Sequence, residues 1–204
     1  MKVSLTRMEL LRLRKRLDLA VRGHKLLEDK LEGLVGRFLR FVAEYRRQHA
    51  KVSREIVRVL GRFTLAASLS SEETVARALL ECRGETDVEL KFTRLLNVPI
   101  PTLAVKEYRL DLSYSLVETP MELDAAVSAL QTLFLEILKL AQLQETVWIL
   151  AVEIAKTRRR VNSLRYIIIP QLAATIKQIK TRFEELDREA KSQLLKIKEM
   201  LAAR

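Results

Sequence analysis

Arg158, Arg159 and Arg160 stand in a row, Arg165 follows, and Pro170 falls inside an otherwise helical run. Guanidinium forks of this kind recognise phosphate or carboxylate. The other chemistry-bearing residues are scattered. His24 and His49 lie 25 residues apart with no acidic cluster around them, so no metal site is expected. Cys82 has no base beside it in sequence and suits a small apolar role. Glu72-Glu73 and Glu184-Glu185 are neighbours on a helix rather than paired carboxylates across a cleft. Gly23, Gly33 and Gly36 lack the Lys-Ser/Thr that follows a phosphate-cradling loop. No catalytic residue, cofactor or metal is therefore expected, and the chain reads as a non-enzyme. Its basic residues do not interleave with aromatics, which argues against single-strand nucleic-acid binding. Non-specific contact with duplex phosphate stays open.

The elements that position these residues are announced by composition. Of 204 residues, 49% are hydrophobic, 31% charged and only 5% aromatic, with 5 glycines and 4 prolines. That is the profile of long helices and coiled coils. One cysteine excludes an internal disulfide framework and suits a reducing compartment. No run of eighteen apolar residues occurs, and Met1–Ser4 does not open a signal peptide, so a soluble intracellular protein is expected. A net charge of +11 invites an acidic protein partner, nucleic acid or anionic lipid; the plainer reading is a solvated, arginine-rich helical surface.

Apolar residues then set the rhythm. Leu13, Leu17, Ala20, His24, Leu27, Leu31, Leu34, Phe38, Phe41, Tyr45, Gln48 and Val52 alternate steps of three and four, the seam of a coiled coil. Two steps of four at Val52 and Ile56 form a stutter, and Val59 and Phe63 resume the pattern. Ser4 or Thr6 can cap this helix, with Glu9 closing a capping box on Thr6. Glycines inside it are either tolerated drift or sites of close approach.

Ser70-Ser71-Glu72-Glu73 starts a short helix, Glu73 standing three residues after Ser70, and Gly84 can end it. Val88, Leu90 and Phe92 alternate with polar residues, as do Tyr108, Leu110, Leu112 and Tyr114. Val98-Pro99-Ile100-Pro101 must be extended. Residues 86–116 thus read as a β-hairpin or two short strands, turning near Leu95–Asn97 or within Pro101–Ala104. Thr119-Pro120-Met121-Glu122 restarts the helix, with Thr119 as cap.

The second seam runs through Leu130, Leu133, Ile137, Leu140, Val147, Leu150, Ile154, Thr157, Val161, Leu164 and Ile168. It then steps by four to Leu172 and by four to Ile176, and continues to Ile179, Phe183, Leu186, Ala190 and Ile197. This stutter straddles Pro170, so kink and register shift are expected to be one distortion. Arg159 and Arg160 then point outward, and Arg158 and Arg165 flank the seam. The expected fold is mainly α: a long antiparallel two-helix coiled coil with a short helix and β-hairpin inserted between the helices. The expected parts are 1–67 (first helix), 68–118 (insert) and 119–204 (second helix, with a kink or stutter near Pro170).

Thr6-Arg-Met-Glu-Leu-Leu-Arg-Leu-Arg-Lys-Arg-Leu17, Arg22-Gly-His-Lys-Leu-Leu-Glu-Asp-Lys30, Lys156-Thr-Arg-Arg-Arg-Val-Asn-Ser-Leu164 and Ile169-Pro-Gln-Leu172 resemble the central-stalk D subunit of the V-type and archaeal A-type rotary ATPases. The resemblance spans nearly the whole chain. It implies a central rotor axle that passes torque between a membrane ion-translocating ring and a hexamer of catalytic A and B subunits. It implies a small stalk partner, the F subunit, on the side of the coiled coil, and a C or d adaptor above the ring. The complex would lie at the cytoplasmic face of the membrane, with no membrane insertion by this chain and no nucleic-acid partner. Arg7, Arg12, Lys15, Arg158, Arg159, Arg160 and Arg165 are the candidate partner contacts under this resemblance. The alternative is a basic helical-hairpin scaffold that binds nucleic acid or anionic membrane.

Overall fold

The protein was analysed as a computed structural model, which describes residues 6–111, 114 and 119–202. The element order is α1 (Arg7–Leu69), α2 (Glu72–Glu81), β1 (Arg83–Leu95), β2 (Val98–Asp111), α3 (Met121–Ser163), a π-helical turn (Leu164–Ile168) and α4 (Ile169–Ala202). Thr6 caps α1: its Oγ1 accepts from the Glu9 amide at 3.2 Å. Ser4, the other candidate cap, and the strand position Leu112 lie outside the described residues.

Contacts divide the chain into two compact units, one Gly33–Ile154, the other the remainder. In the first, Ala66 clusters with Leu123 and Val127. Val52 and Val59 pack with Leu133, and Leu34 packs with Leu150. Numbers rise along α1 as they fall along α3, so the two helices are antiparallel. In the second unit Leu13 packs with Leu172 and Ile179, joined by Leu17, Ala20, Ile176 and Phe183. Each fully buried leucine contributes about 1.5–3 kcal/mol relative to an exposed one. Every expected α1 seam residue from Leu13 to Phe63 is buried or half-buried.

The second seam departs from its expected path in three places. Leu130 and Ile137 are 41% and 36% exposed. The facing level is taken by Ala129, which packs with Val59, and by Glu136, which accepts a hydrogen bond from the seam residue Gln48. Leu186, Ala190 and Ile197 are exposed. Ile168 is also displaced: the seam passes from Leu164 directly to Ile169, a step of five. The Ile169 amide donates to the Leu164 carbonyl, a bond one residue longer than the α-helical one. That turn absorbs one extra residue just before Pro170, which has no amide hydrogen to donate and whose ring would crowd the carbonyl four residues back.

The insert also differs in detail. The cap of α2 is Ser71, not Ser70; its side chain accepts from the Thr74 amide at 3.1 Å. The helix ends at Glu81 with Cys82 already extended, and Gly84 belongs to β1 rather than to a helix stop. β1 and β2 pair antiparallel from Arg83↔Asp111 to Leu95↔Val98, with a bulge that leaves Lys106 unmatched beside Asp87/Val88. The turn is Leu96–Asn97, both in the left-handed region at φ 49° and 66°. Asparagine tolerates that conformation; leucine adopts it only under strain. The buried hairpin face is carried by Val98 and Ile100, next to the prolines, while Val88, Leu90 and Phe92 face water. Val98 belongs to the cluster of Leu34 and Leu150, and Gln142 of α3 accepts from the Leu103 amide at 3.1 Å.

Candidate functional site

The end of α3 and the π turn carry the arginines. Thr157 and Val161 are buried in the seam, and these anchor residues turn Arg158, Arg159 and Arg160 into water. Arg165 is exposed on the π turn, its guanidinium carbon 5.4 Å from the ring centre of Tyr166. That is a cation–π contact. Among the described residues none of these arginines has an ion pair.

Arg12 and Lys15 flank the seam residue Leu13 on α1 and line a shallow surface groove with Arg16, Asp18, Leu19 and Arg22. Arg12 is partnered by Glu9 at 3.8 Å, and Arg22 by Asp18. Arg7 opens the same helix and is exposed. Leu13 packs at the level of Leu172 and Ile179, so Arg12 and Lys15 stand at that level, beyond Arg165 along the second helix. The candidates therefore form two groups within one compact unit, not one cluster.

Polar chemistry elsewhere is structural. His24 Nδ1 lies 3.2 Å from Glu28 Oε2, while its Nε2 is buried without a hydrogen-bond partner. His49 stacks obliquely on Tyr45, ring centres 5.7 Å apart. Glu136 takes a hydrogen bond from Gln48 and pairs with Lys51 at 3.1 Å and Lys139 at 3.4 Å. The Gln48 and Lys51 hydrogen bonds hold its carboxyl below the ordinary value. Burial pushes the Cys82 thiol up, away from a reactive thiolate. Tyr114, buried and donating to Asp124, is also pushed up. Among the described residues no group of three or more His, Cys, Asp or Glu could hold a metal, and no helix is long and apolar enough to cross a membrane.

Sequence reasoning missed three exposed apolar side chains, Tyr166, Ile167 and Ile168, next to the arginines. Their only signal was the paired steps of four around Pro170, which read equally well as a supercoil adjustment. It also passed over Trp148, 65% exposed above an open 420 Å³ groove with Tyr45, Val147 and Ala151. As the one tryptophan of the chain it falls between seam positions Val147 and Leu150, and that spacing alone turns it outward.

Known proteins share this architecture's sequence. The family described as the D subunit of ATP synthase matches residues 9–199. A V-type ATP synthase D subunit of Thermoanaerobacter sp. (strain X514) is 40% identical over 98% of this chain and 96% of its own length. The protein of the same name from Enterococcus faecalis is 38% identical over 97% and 96%, and that from Clostridium novyi 37% over 98% and 94%.

Proposed function

The chain belongs to the ATP synthase D-subunit family, a structural stalk subunit that is not itself catalytic, and from that premise we propose that it is the rotor axle of a V/A-type rotary ATPase. It passes torque between the membrane ion-translocating ring and the A/B hexamer, for ATP synthesis or for ATP-driven ion transport. The small F subunit on the side of the helix pair and the C/d adaptor complete the stalk, which is peripheral to the cytoplasmic face of the membrane. Arg7, Arg12, Lys15, Arg158, Arg159, Arg160 and Arg165 make its contacts with neighbouring subunits, where charge complementarity sets orientation more than raw affinity.

The observation that carries this reading is the antiparallel seam, in which α1, 63 residues long, packs against α3 in one unit and α4 in the other. Two helices locked along a seam resist twisting better than one. The polar pair Gln48–Glu136 inside that seam favours this register, since sliding separates the two groups and breaks their hydrogen bond.

The test is reconstitution. The remaining subunits, assembled without this chain, should hydrolyse ATP without driving ion transport, and adding the chain should restore coupling. The isolated chain should show no ATPase activity. Coupled transport that is the same with and without the chain would overturn the proposal. A duplex-DNA titration tests the scaffold alternative, which requires tight binding that falls steeply with salt.

A further inference from the structure

Two strands make a sheet with two edges, and the hairpin treats its edges differently. The turn residues Leu96 and Asn97 both have positive φ, the two-residue geometry in which the closing pair Leu95↔Val98 exchanges backbone hydrogen bonds. Antiparallel pairing alternates from there. Thr93 and Lys91 bond across to Ile100 and Thr102. Arg94, Phe92 and Leu90 point their amides and carbonyls away from β2, and their opposites Pro99, Pro101 and Leu103 point away from β1. The β2 edge is closed: both prolines lack an amide hydrogen, and the Leu103 amide donates to Gln142 of α3. Natural sheets close their edges in such ways because an open edge pairs with any extended chain.

The β1 edge is open. Among the described residues β2 is its one neighbour in the sheet. β1 contains no proline and is exposed at every position but Glu89 and Leu95. The residues whose backbone groups point outward also turn their side chains to the face opposite Val98 and Ile100. On that face Leu90 is 53% and Phe92 64% exposed, with Val88 and its opposite Val105 also exposed beside them. Free backbone groups and an apolar row therefore coincide.

We propose that the open edge of β1, at Leu90–Arg94, is a strand-addition site for an extended segment of another protein that alternates aliphatic with acidic side chains. The backbone selects a strand: a helix or a lipid surface would cover Phe92 and leave the outward amides and carbonyls unpaired. Side chains directly opposite each other share a face, so aliphatic residues of the added strand extend the row of Leu90 and Phe92. The residues between them fall on the other face beside Lys91, whose exposed ammonium already draws Glu89 to 3.2 Å. A carboxylate is favoured there, and Arg94 adds to the same positive field. The ladder gives affinity and the alternate side chains give specificity. The site does not depend on the chain's role as a stalk subunit.

The experiment is fluorescence anisotropy of the full chain with a labelled, end-capped peptide of alternating valine and glutamate. Saturable binding is expected. A peptide of the same composition, with valines and glutamates in separate blocks, should bind at least about tenfold more weakly. An extended peptide also has two edges, so N-methylating either its valines or its glutamates blanks one edge and spares the other. One methylated peptide should lose binding and the other keep it, which tests the ladder without altering the protein. Leu90→Pro removes an amide that β2 does not use, as Pro101 does on the other strand. It should weaken binding at least about tenfold with the circular dichroism spectrum unchanged. No binding by the wild-type chain, or methylated peptides that behave alike, overturns the proposal. Sedimentation of the chain alone covers the other occupant. A wild-type dimer that Leu90→Pro converts to a monomer would mean that β1 pairs with a second copy, and the inference fails.

Discussion

Leu96 Cδ1 stands 3.3 Å from the point that a Cβ on Gly33 would occupy. The two residues meet where the hairpin turn folds back onto α1. Leu96 holds a left-handed backbone that glycine or asparagine would adopt with less strain, and its side chain reaches the bare face of the helix at Gly33. Nearby Val98 and Leu95 join the cluster of Leu34 and Leu150. The strained turn is thus held by packing, and a helical glycine makes room for it.

Gly36 offers the comparison, because a Cβ there would meet nothing within 4 Å. Gly36→Ala should stabilise the protein by about 1 kcal/mol, the helix-propensity gain. Gly33→Ala should gain less, because the new methyl presses on Leu96 and the turn must shift. Thermal unfolding of both variants decides it: equal gains would mean the Leu96 contact carries no weight.

Glu136 sits at a seam level where the heptad spacing calls for an apolar side chain. Glu136→Ala should cost about 1–3 kcal/mol, because Gln48 is left part-buried without its acceptor. Replacing both by leucine should be near neutral or stabilising. The acid limb follows from the lowered carboxyl. Its stabilisation is fully present above the ordinary value of 4.5 and is lost as pH falls below that and through the folded value. Denaturant melts from about pH 7 to about pH 3 should show a shallower acid loss in Glu136→Gln. An unchanged slope would mean that the Gln48 and Lys51 contacts do not hold in solution.

The α1 seam was legible because spacing alone determines it. From Leu13 to Phe63 each step of three or four lands on a side chain turned from water, even where the residue is His24 or Gln48. The second seam was legible only in part. Nothing in the spacing of Leu130 and Ile137 says that Glu136 will win the facing level, since that depends on Gln48 across the pair. Ile168 was misplaced for a similar reason: a bond from Ile169 to Leu164 changes the count by one residue without leaving a periodic trace. In the hairpin the alternation of Val88, Leu90 and Phe92 marks a strand but does not say which face is buried. The partner strand buries Val98 and Ile100, because Leu34 and Leu150 lie on that side. The arginines were visible by type, but whether a carboxylate pairs with them depends on which acids the fold brings near, and no spacing rule supplies that.

Tyr114→Phe probes the cluster at the far end of α1. The tyrosine is buried among Ala66, Val75, Ala78, Leu123 and Val127, and its hydroxyl donates to Asp124. Removing the hydroxyl should cost about 1.5–3 kcal/mol, the range for a hydrogen bond to a charged group. The pKa of the hydroxyl is raised, so its stabilisation is present below the ordinary value of 10.0 and lost as pH rises through the folded value. The substitution should also remove a late phase from the alkaline absorbance titration. Loss of a phase near the ordinary value of 10.0, in place of a late one, would put the hydroxyl in water rather than on Asp124.

The π turn and Pro170 form a coupled pair, and that coupling is measurable. Deleting Ile168 alone removes the extra residue and returns Ile169 to an α-helical step from Leu164. The proline is then left in a regular helix interior, which should cost about 3 kcal/mol. Pro170→Ala alone removes the reason for the turn but not the extra residue. The π turn persists, because an α-helical path would carry Ile168 into the seam and shift every later residue, including the buried Leu172 and Ile179. Together the two changes should restore a continuous helix at or above wild-type stability. Their coupling energy should be about 2–3 kcal/mol and favourable, well outside the few tenths expected of independent sites. Additive effects in denaturant unfolding would mean that the turn and the proline are unrelated defects, and the account of why Ile168 faces water would then fail.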